Sequence, residues 1–364
     1  MRKHWPALLA AAALSACTGG EQTLPAAYGS VQRPGALVSS TPSRPAPNPT
    51  PRAEEITISF AGDVHFEDDV RARLADPATT LDTVSDVLSA ADLTVVNLET
   101  AVTERGIPEP KTYTFRVGPE AFDALAAAGV DIVTMANNHG VDYGAQGLAD
   151  TLASARQAPL AVVGIGEDDT AAFEPAVVDI GGTAVAVIGA TDVPDRTAAA
   201  WSAAPGKPGV ASARDRQRLL RAVAEAAEAA DVVAVYLHYG TERVSCPTPD
   251  QVSLATALAD AGADIVVGAH AHVLLGAGWL GRTYVSYGLG NFVWYHPNSA
   301  AEASSGVLTL TVRDGHVVEH ELTSTFTEQD GRPRVLEGEA ADEAITDWRA
   351  MRACTGLEST AGMS

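Results

Sequence analysis

Five short apolar runs in this chain are each followed at once by side chains of the kind that bind metals, and this pattern constrains the fold most strongly. The runs carry the β-branched and aliphatic residues typical of buried strands. They lie at residues 56–60, 93–96, 132–134, 232–237 and 264–267. Helical periodicity is clearest at residues 81–91, 121–128, 145–155, 214–230 and 251–261. Because strands and helices alternate in this way, the sequence predicts a layered α/β fold.

The residues that follow the five runs share one chemistry, that of oxygen and nitrogen donors. They are Asp63 and His65, Glu99, Asn138 and His139, His238 and Glu242, and His270 and His272. Sites in open α/β sheets form beyond the carboxyl ends of the strands, so we expect these side chains to meet in one crevice. A single Asp-Val-His or Asn-His pair would indicate only an ordinary turn. The whole set predicts a metal site at that edge of the sheet.

The donor set also indicates which metals are expected. Carboxylate, amide and imidazole donors without cysteine suit manganese, iron or zinc. The donors exceed what one ion requires, and two ions about 3.5–4 Å apart would use them all, clamping a reacting oxygen and activating a water. We expect His270 and His272 to share one direction, because residues i and i+2 of an extended segment point to the same side.

Charge and length exclude some functions. The chain has 364 residues, 46% of them hydrophobic, and can therefore bury a sizeable core. Its formal net charge of −22 argues against a protein that binds nucleic-acid phosphates, which needs clustered Lys and Arg. The acidic balance itself indicates solubility rather than a function.

The first residues have the pattern of an export signal. Arg2 and Lys3 precede an apolar stretch at residues 5–13 that is too short to span a bilayer. The stretch ends in Leu14-Ser-Ala-Cys17, which resembles the lipobox of bacterial lipoproteins. That resemblance implies removal of residues 1–16, lipid on Cys17 and an extracytoplasmic, membrane-anchored protein. The alternative is an ordinary signal peptide with an incidental cysteine.

The rest of the chain divides by composition. Residues 17–53 are rich in Pro, Ser and Thr and predict an extended spacer. We expect one domain at residues 54–330 and a C-terminal tail at 331–364. Gly181-Gly182 predicts a hairpin at residues 176–190, and Asp314-Gly315 predicts one at residues 306–322. Cys246 and Cys354 would be free to form a disulfide in an oxidising compartment, but spacing alone does not establish that they do.

The order of the motifs resembles the CapA family of poly-γ-glutamate capsule proteins, within the calcineurin-like metallophosphoesterases. The resemblance covers residues 56–326 and is carried by five motifs. They are Asn97-Leu-Glu99, Asn137-Asn-His139 with Asp142 and Gly144, His238-Tyr-Gly240-Thr-Glu242, Gly268-Ala-His-Ala-His272 and Leu289-Gly-Asn-Phe292. The resemblance implies a calcineurin-like four-layer α/β/β/α sandwich with its metal site at the carboxyl ends of the strands.

The resemblance also implies a role for each matching residue. Asp63, His65 and His272 would hold one divalent ion, and Asn138, His238 and His270 would hold a second. Glu99 would bridge the two ions, at a position where the wider superfamily usually has Asp. His139 would be the general acid. Arg116, Asn291 and Glu242 are candidates to bind an anionic substrate. The alternative for Arg116 is a solvated strand residue.

The sequence therefore favours an extracytoplasmic, lipid-anchored hydrolase that attacks a phosphoester or an amide with water. It would act in making, attaching or trimming poly-γ-glutamate or a related capsule polymer. One alternative is a non-catalytic, polymer-binding subunit of a capsule synthesis or export complex. Another is a metallophosphatase unrelated to capsule, since fold alone does not settle function.

Overall fold

The structure of the protein is a computed structural model, and it describes residues 55–362. The predicted signal segment, the lipid attachment at Cys17 and the spacer lie outside the described residues and remain predictions. Across the described part of the chain, no helix is both long enough and apolar enough to cross a membrane.

The strands are mostly short, and their labels follow chain order. They are β1 (Ile56–Val64), β2 (Leu93–Leu98), β3 (Ala101–Val102), β4 (Arg116–Val117), β5 (Ile132–Thr134), β6 (Ala161–Val163), β7 (Ile165–Gly166), β8 (Ala176–Ile180), β9 (Thr183–Thr191), β10 (Gly209–Val210), β11 (Val232–His238), β12 (Ile265–Ala269), β13 (Ala277–Leu280), β14 (Thr283–Ser286), β15 (Asn291–Val293), β16 (Ser304–Arg313), β17 (His316–Thr327) and β18 (Pro333–Val335).

Helices lie between the strands along most of the chain. They are α1 (Asp68–Arg73), α2 (Ser85–Leu88), α3 (Glu120–Ala127), α4 (Gly144–Ala155), α5 (Asp169–Ala172), α6 (Arg196–Trp201), α7 (Arg216–Ala229), α8 (Pro249–Asp260), α9 (Ala300–Ala303) and α10 (Gly338–Ala350), with 3-10 turns at Pro77–Thr79 and Met351–Cys354.

Two mixed sheets form the centre of the fold. The first has the strand order β18-β17-β16-β1-β2-β5-β6, with β15 also paired to β1. The second has the order β13-β14-β12-β11-β9-β8. Strands β1, β2 and β5 run parallel in the first sheet, and β9, β11 and β12 run parallel in the second. All five predicted strands are present, and each lies in one of these two parallel cores.

The two sheets pack face to face, with helices on both outer surfaces. Successive strand residues point to opposite faces, so Val95 packs between the sheets while Val96 packs outward. In the second sheet Tyr236 packs inward, and Val235 packs outward in the cluster that holds residues of α7 and α8. Phe122 of α3 lies in the outer cluster of the first sheet. The predicted four-layer α/β/β/α arrangement is therefore confirmed.

Both predicted hairpins are also present. Strands β8 and β9 pair from Ile180 opposite Thr183, and β16 and β17 pair from Arg313 opposite His316. The two-residue turn between β16 and β17 is Asp314-Gly315, with φ of 52° and 76°. Positive φ at both turn positions is the geometry that matches the right-handed twist of a hairpin.

The helix predicted at residues 81–91 is shorter than expected. Its apolar spacing places Leu81, Val84 and Leu88 in the core, as a helical period would. The backbone, however, is helical only over Ser85–Leu88, after a series of turns. Burial of the apolar side chains does not require a continuous helix, and β-branched residues at 83 and 84 favour helix weakly.

The C-terminal segment is part of the folded domain. Strand β18 pairs with β17, and the α10 residue Trp348 is buried and donates a hydrogen bond to the Leu275 carbonyl at 3.1 Å. Cys354 forms a disulfide with Cys246, with Cα atoms 5.8 Å apart. The predicted domain boundary at residue 330 therefore falls inside the folded unit, because an acidic, helix-forming segment still buries one large aromatic side chain.

Candidate metal centre

The carboxyl ends of the parallel strands bring the predicted donors together. Asp63 is the penultimate residue of β1, Glu99 directly follows β2, and His238 is the last residue of β11. His270 and His272 follow β12. Because both sheets present their carboxyl ends on one side of the sandwich, side chains distant in sequence meet there.

Three overlapping groups of these side chains have ligand atoms within 4.8 Å of one another in the described part of the chain. They are Glu99 with His238 and His270, Asp63 with Glu99 and His272, and Glu242 with His270 and His272. Such overlap, with shared carboxylate and imidazole donors, is what a site for divalent cations requires.

Asp63 is fully buried at the base of the site and is held in place by its neighbours. Its Oδ1 accepts a hydrogen bond from Asn97 Nδ2 at 2.7 Å, and its Oδ2 accepts one from the His270 backbone amide at 3.0 Å. Asn97 Nδ2 also lies 3.1 Å from His238 Nδ1. Asn97 thus orients both a carboxylate and an imidazole, a role that the sequence analysis did not assign to it.

Glu99 is the residue whose surroundings point most directly to a cation. Its Oε1 lies 3.4 Å from His238 Nε2, 3.8 Å from His139 Nε2 and 4.0 Å from His272 Nε2. Both carboxylate oxygens are buried, and neither accepts a hydrogen bond from the residues described. A buried acceptor pair without partners is costly, and a bound cation would satisfy it.

The second predicted half of the site contains a close donor pair. Asn138 Oδ1 lies 2.7 Å from His238 Nε2, and the His238 and His270 rings have centroids 4.8 Å apart. His270 Nδ1 is buried and has no hydrogen-bond partner within residues 55–362. Asn138, His238 and His270 therefore lie together, and the family resemblance implied that these three residues hold one ion.

His270 and His272 reach the site by a path that differs from the prediction. An extended path was expected, but β12 ends at Ala269, and the two histidines have φ of 84° and 57°. This left-handed backbone is rare for residues with a Cβ and occurs where the surrounding structure imposes it. The two rings still face one space, with centroids 5.7 Å apart.

The tautomer of His272 is set by its second nitrogen. His272 Nδ1 lies 2.9 Å from Asn291 Oδ1 and 3.2 Å from Asp63 Oδ2, and an N–H there can donate to these oxygens. Nε2 is then left facing Glu99 as the available donor atom. Metal-binding histidines usually have their other nitrogen anchored in this way. Asn291 is thus buried and positions His272, a predicted metal ligand, while its predicted contact with substrate stays a prediction.

Without metal, the ionisable side chains of the cluster have strongly shifted pKa values. Burial, and then the nearby charge of Asp63, raises the pKa of Glu99 well above its usual value. Burial opposes protonation of His272, yet Glu99 and Asp63 raise its pKa to about 9. Burial lowers the pKa of His238 to about 4. Without metal, the negative charge of Asp63 and Glu99 is thus reduced by a proton on His272 and by the raised pKa of Glu99, and a divalent cation would replace such protons.

His139 forms a separate pair with Asp142 at the edge of the cluster. His139 Nδ1 lies 2.6 Å from Asp142 Oδ2, which also accepts from the Phe115 backbone amide at 2.7 Å. Lys111 forms an ion pair with the other Asp142 oxygen. Burial, and then Lys111, lowers the pKa of His139 well below its usual value. The imidazole is fixed in orientation, with Nε2 directed toward Glu99.

The sequence analysis also named His65 and Arg116 as site residues. His65 is fully buried and stacks on Phe115 at 4.6 Å, with neither ring nitrogen hydrogen-bonded among the described residues. It belongs to none of the three donor groups found there. The Arg116 guanidinium lies 4.8 Å over the Tyr143 ring, and Arg116 is not among the residues that line the cleft.

A cleft of about 200 Å³ opens above the donors. Its lining residues are Tyr113, Phe115, His139, Glu242, Arg243, His272, Trp294, Tyr295, His296 and Asn298. Of these, the sequence analysis had singled out only His139, Glu242 and His272 as site residues. The aromatic side chains and Arg243 come from loops, where no periodic pattern identifies them.

Comparison with known proteins gives one family. Residues 57–296, more than half of the chain, match the family described as bacterial capsule synthesis protein PGA_cap. The chain is 32% identical over 246 residues to the PGA biosynthesis protein CapA of Bacillus subtilis, covering 66% of this chain and 63% of that protein. It is 33% identical over 214 residues to the capsule biosynthesis protein CapA of Bacillus anthracis, covering 54% and 51%.

The matched region is thus less than two thirds of the length of either relative. Among solved structures, a phosphatase from Mycoplasma pneumoniae is 14% identical and superimposes with a TM-score of 0.49, covering 75% of this chain and 94% of that one.

Proposed function

Because the chain belongs to the family of bacterial capsule synthesis proteins PGA_cap, we propose that it is a metal-dependent hydrolase acting on a capsule polymer. The membership confirms the family resemblance that the motifs indicated. The proposed reaction is hydrolysis of a phosphoester or an amide during synthesis, attachment or trimming of poly-γ-glutamate or a related polymer. The relatives named above carry capsule and PGA biosynthesis in their names.

The observation that carries the proposal is the unpartnered Glu99 carboxylate beneath an open cleft. Its oxygens are buried, and the Nε2 atoms of His238 and His272 lie within 4.0 Å of Oε1. A buried carboxylate with only a structural role would accept a hydrogen bond from a neighbouring N–H or O–H group. The donor set therefore fits divalent cations, and manganese, iron and zinc remain the expected ions.

Divalent cations at this site would supply Lewis-acid polarisation of a phosphoryl or carbonyl oxygen. Asp63, Glu99, His238, His270 and His272 are the residues that would hold them, with Asn138 beside His238. The proposed proton transfer is carried out by a side chain of the protein. His139 is held by Asp142 so that Nε2 can transfer a proton to or from a group bound in the cleft.

The proposed location is extracytoplasmic, with the domain anchored to the membrane by lipid on Cys17. This rests on the lipobox-like Leu14-Ser-Ala-Cys17 in the sequence. Replacing Cys17 by Ser is expected to release the protein from the membrane fraction and to abolish incorporation of labelled palmitate. A Cys17→Ser protein that is still acylated would contradict this part of the proposal.

The central experiment compares His139→Ala with the unaltered protein after loading with Mn²⁺ or Zn²⁺. Substrates are bis-p-nitrophenyl phosphate and γ-glutamyl p-nitroanilide, and bound metal is measured by elemental mass spectrometry. We expect hydrolysis to fall by about 100-fold or more, as is usual when a general acid or base is lost. Metal content should stay unchanged, since His139 belongs to none of the three donor groups within residues 55–362.

The matched control is His316→Ala, because His316 is an exposed histidine at the start of β17. It should leave both metal content and hydrolysis unchanged. A metal-loaded protein that hydrolyses neither substrate but binds poly-γ-glutamate would favour the non-catalytic, polymer-binding alternative. Hydrolysis of the phosphodiester without any binding of the polymer would favour a phosphatase unrelated to capsule.

A further inference from the structure

The side chain of Arg243 lines the cleft above the donor cluster. It directly follows Glu242, which lies in a donor group with His270 and His272. Its backbone amide donates a hydrogen bond to the Ala271 carbonyl at 2.7 Å, and its φ is 61°. The loop that carries Arg243 is thus fixed to the loop that carries the two histidines.

The guanidinium of Arg243 is held by a hydrogen bond from its Nε atom. Its Nε donates a hydrogen bond to Glu302 Oε1. Within residues 55–362, its two terminal nitrogens donate no hydrogen bond, and 64% of the side chain is exposed. An arginine anchored through Nε keeps the two-nitrogen fork that binds the two oxygens of a carboxylate or phosphate.

Glu302 acts as a fixed anchor for this arginine. It is 4% exposed, and its Oε2 accepts hydrogen bonds from the backbone and side chain of Asn298 at 2.8 and 3.1 Å. The Glu302 carbonyl also accepts from Asn291 Nδ2 at 3.1 Å, and Asn291 holds His272. A single chain of hydrogen bonds therefore connects the arginine to one of the predicted metal ligands.

The neighbouring Lys111 and Arg116 side chains interact with other residues. Lys111 is ion-paired with Asp142 and has a side chain only 14% exposed. Arg116 covers the Tyr143 ring. Of the Lys and Arg side chains in the part of the chain that the structure describes, only Arg243 lines the cleft. An anionic substrate in the cleft would meet this one fixed guanidinium.

We propose that Arg243, held by Glu302, is the residue that selects a carboxylate-bearing substrate, by binding an α-carboxylate of a γ-linked glutamate unit. This inference rests on the proposed function and names the group through which the substrate is recognised. The repeat unit of poly-γ-glutamate carries one free carboxylate, which suits a single bidentate contact. The aromatic side chains of Tyr113, Trp294 and Tyr295 in the same cleft pack against the methylene part of the unit.

The test measures binding to the full chain by isothermal titration calorimetry, with Mn²⁺ present and again after EDTA treatment. One probe is a γ-linked glutamate tetramer, and the other is the same tetramer with every α-carboxylate converted to a carboxamide. We expect the unaltered protein to bind the carboxylate probe more tightly. Arg243→Gln should weaken that binding about 10- to 100-fold, since a charge-assisted bidentate pair is lost, and should remove the preference between probes.

Two further variants separate charge and geometry. Arg243→Lys keeps the charge without the planar fork and should lie between the unaltered protein and Arg243→Gln. Arg156→Gln is the matched control, because Arg156 is also paired with a glutamate, Glu167, and its side chain is 60% exposed outside the cleft. It should bind both probes as the unaltered protein does.

The outcomes distinguish this inference from the proposed function. If Arg243→Gln binds the carboxylate tetramer as tightly as the unaltered protein, the role of Arg243 is refuted and the proposed hydrolase stands. If the unaltered protein binds neither tetramer but holds metal and hydrolyses a phosphodiester, the inference and the polymer substrate both fail while the hydrolase remains. If metal is not bound at all, the proposed function itself fails.

Discussion

Replacing Glu99 by Gln is predicted to stabilise the metal-free protein and at the same time to prevent its stabilisation by metal. Glu99 is fully buried with both carboxylate oxygens unpartnered, and its pKa is raised well above the usual value, first by burial and then by Asp63. Gln keeps the shape and removes the charge. Leaving a buried polar group unpaired costs about 1–3 kcal/mol, and more when the group is charged, so we expect a gain of about 1–3 kcal/mol.

The gain should depend on pH in a defined direction. A carboxyl whose pKa is higher in the folded state than in the unfolded state lowers stability as pH rises above its unfolded value of about 4.3. Near pH 3 Glu99 is protonated in both states, and the variant and the unaltered protein should differ least there. Between pH 5 and 8 the advantage of Glu99→Gln should grow.

The assay is thermal or urea unfolding in EDTA at several pH values, repeated with added Mn²⁺. For a domain at residues 55–362, a gain of 1–3 kcal/mol corresponds to a rise in Tm of about 1.5–5 °C. A cation at 100 times its Kd should stabilise the unaltered protein by about 2.7 kcal/mol and the variant by much less. A Glu99→Gln protein less stable than the unaltered one in EDTA at pH 8 would refute the reasoning.

Glu302→Gln provides the control of opposite sign. Burial alone would raise the pKa of Glu302, but hydrogen bonds from Asn298 and Arg243 lower it. A carboxyl with a lowered pKa stabilises the fold above its unfolded pKa and loses that contribution as pH falls. Glu302→Gln should therefore destabilise the protein near pH 7 and have less effect near pH 4.

Three further predictions concern the scaffold of the site. Removing the disulfide by Cys246→Ser with Cys354→Ser frees a loop with a sequence separation of 108, and a loop of that length predicts a loss of up to about 5 kcal/mol in urea unfolding. Gly62→Ala would place a Cβ 1.9 Å from the Gly290 carbonyl oxygen, so unfolding should show a loss of about 1–3 kcal/mol, with reduced metal content by mass spectrometry. Asn97→Leu removes hydrogen bonds to three buried partners and should cost about 3 kcal/mol in the same unfolding assay, while an unchanged midpoint would contradict the role given to Asn97.

The sequence predicted the framework because local signals and global packing agree there. Asp63 and His238 end buried strands, and strand ends are set by the apolar period that precedes them. Central strands such as β2 and β11 are buried on both faces, and the sequence shows this as short continuous apolar runs. These positions could therefore be predicted before any contact was known.

The errors arise where the backbone leaves the regular elements. The path through His270 and His272 has positive φ at both residues, which no hydrophobic pattern signals. Arg243 was not predicted because its position depends on Glu302, which is 59 residues away in the sequence. Arg116 was predicted through the family resemblance and the affinity of arginine for anions, and its guanidinium packs on Tyr143, a contact that the sequence does not indicate.

The site differs from the rest of the core because some of its features are unfavourable in the metal-free protein. The left-handed histidines and the unpartnered Glu99 carboxylate each cost stability in the metal-free protein. Two face-to-face sheets supply enough buried apolar surface to offset that cost, so the donors can be held close together before a cation arrives. When the ligands are already held in place by the fold, little binding free energy is lost in ordering them. The folded sandwich therefore raises the affinity for metal that we expect.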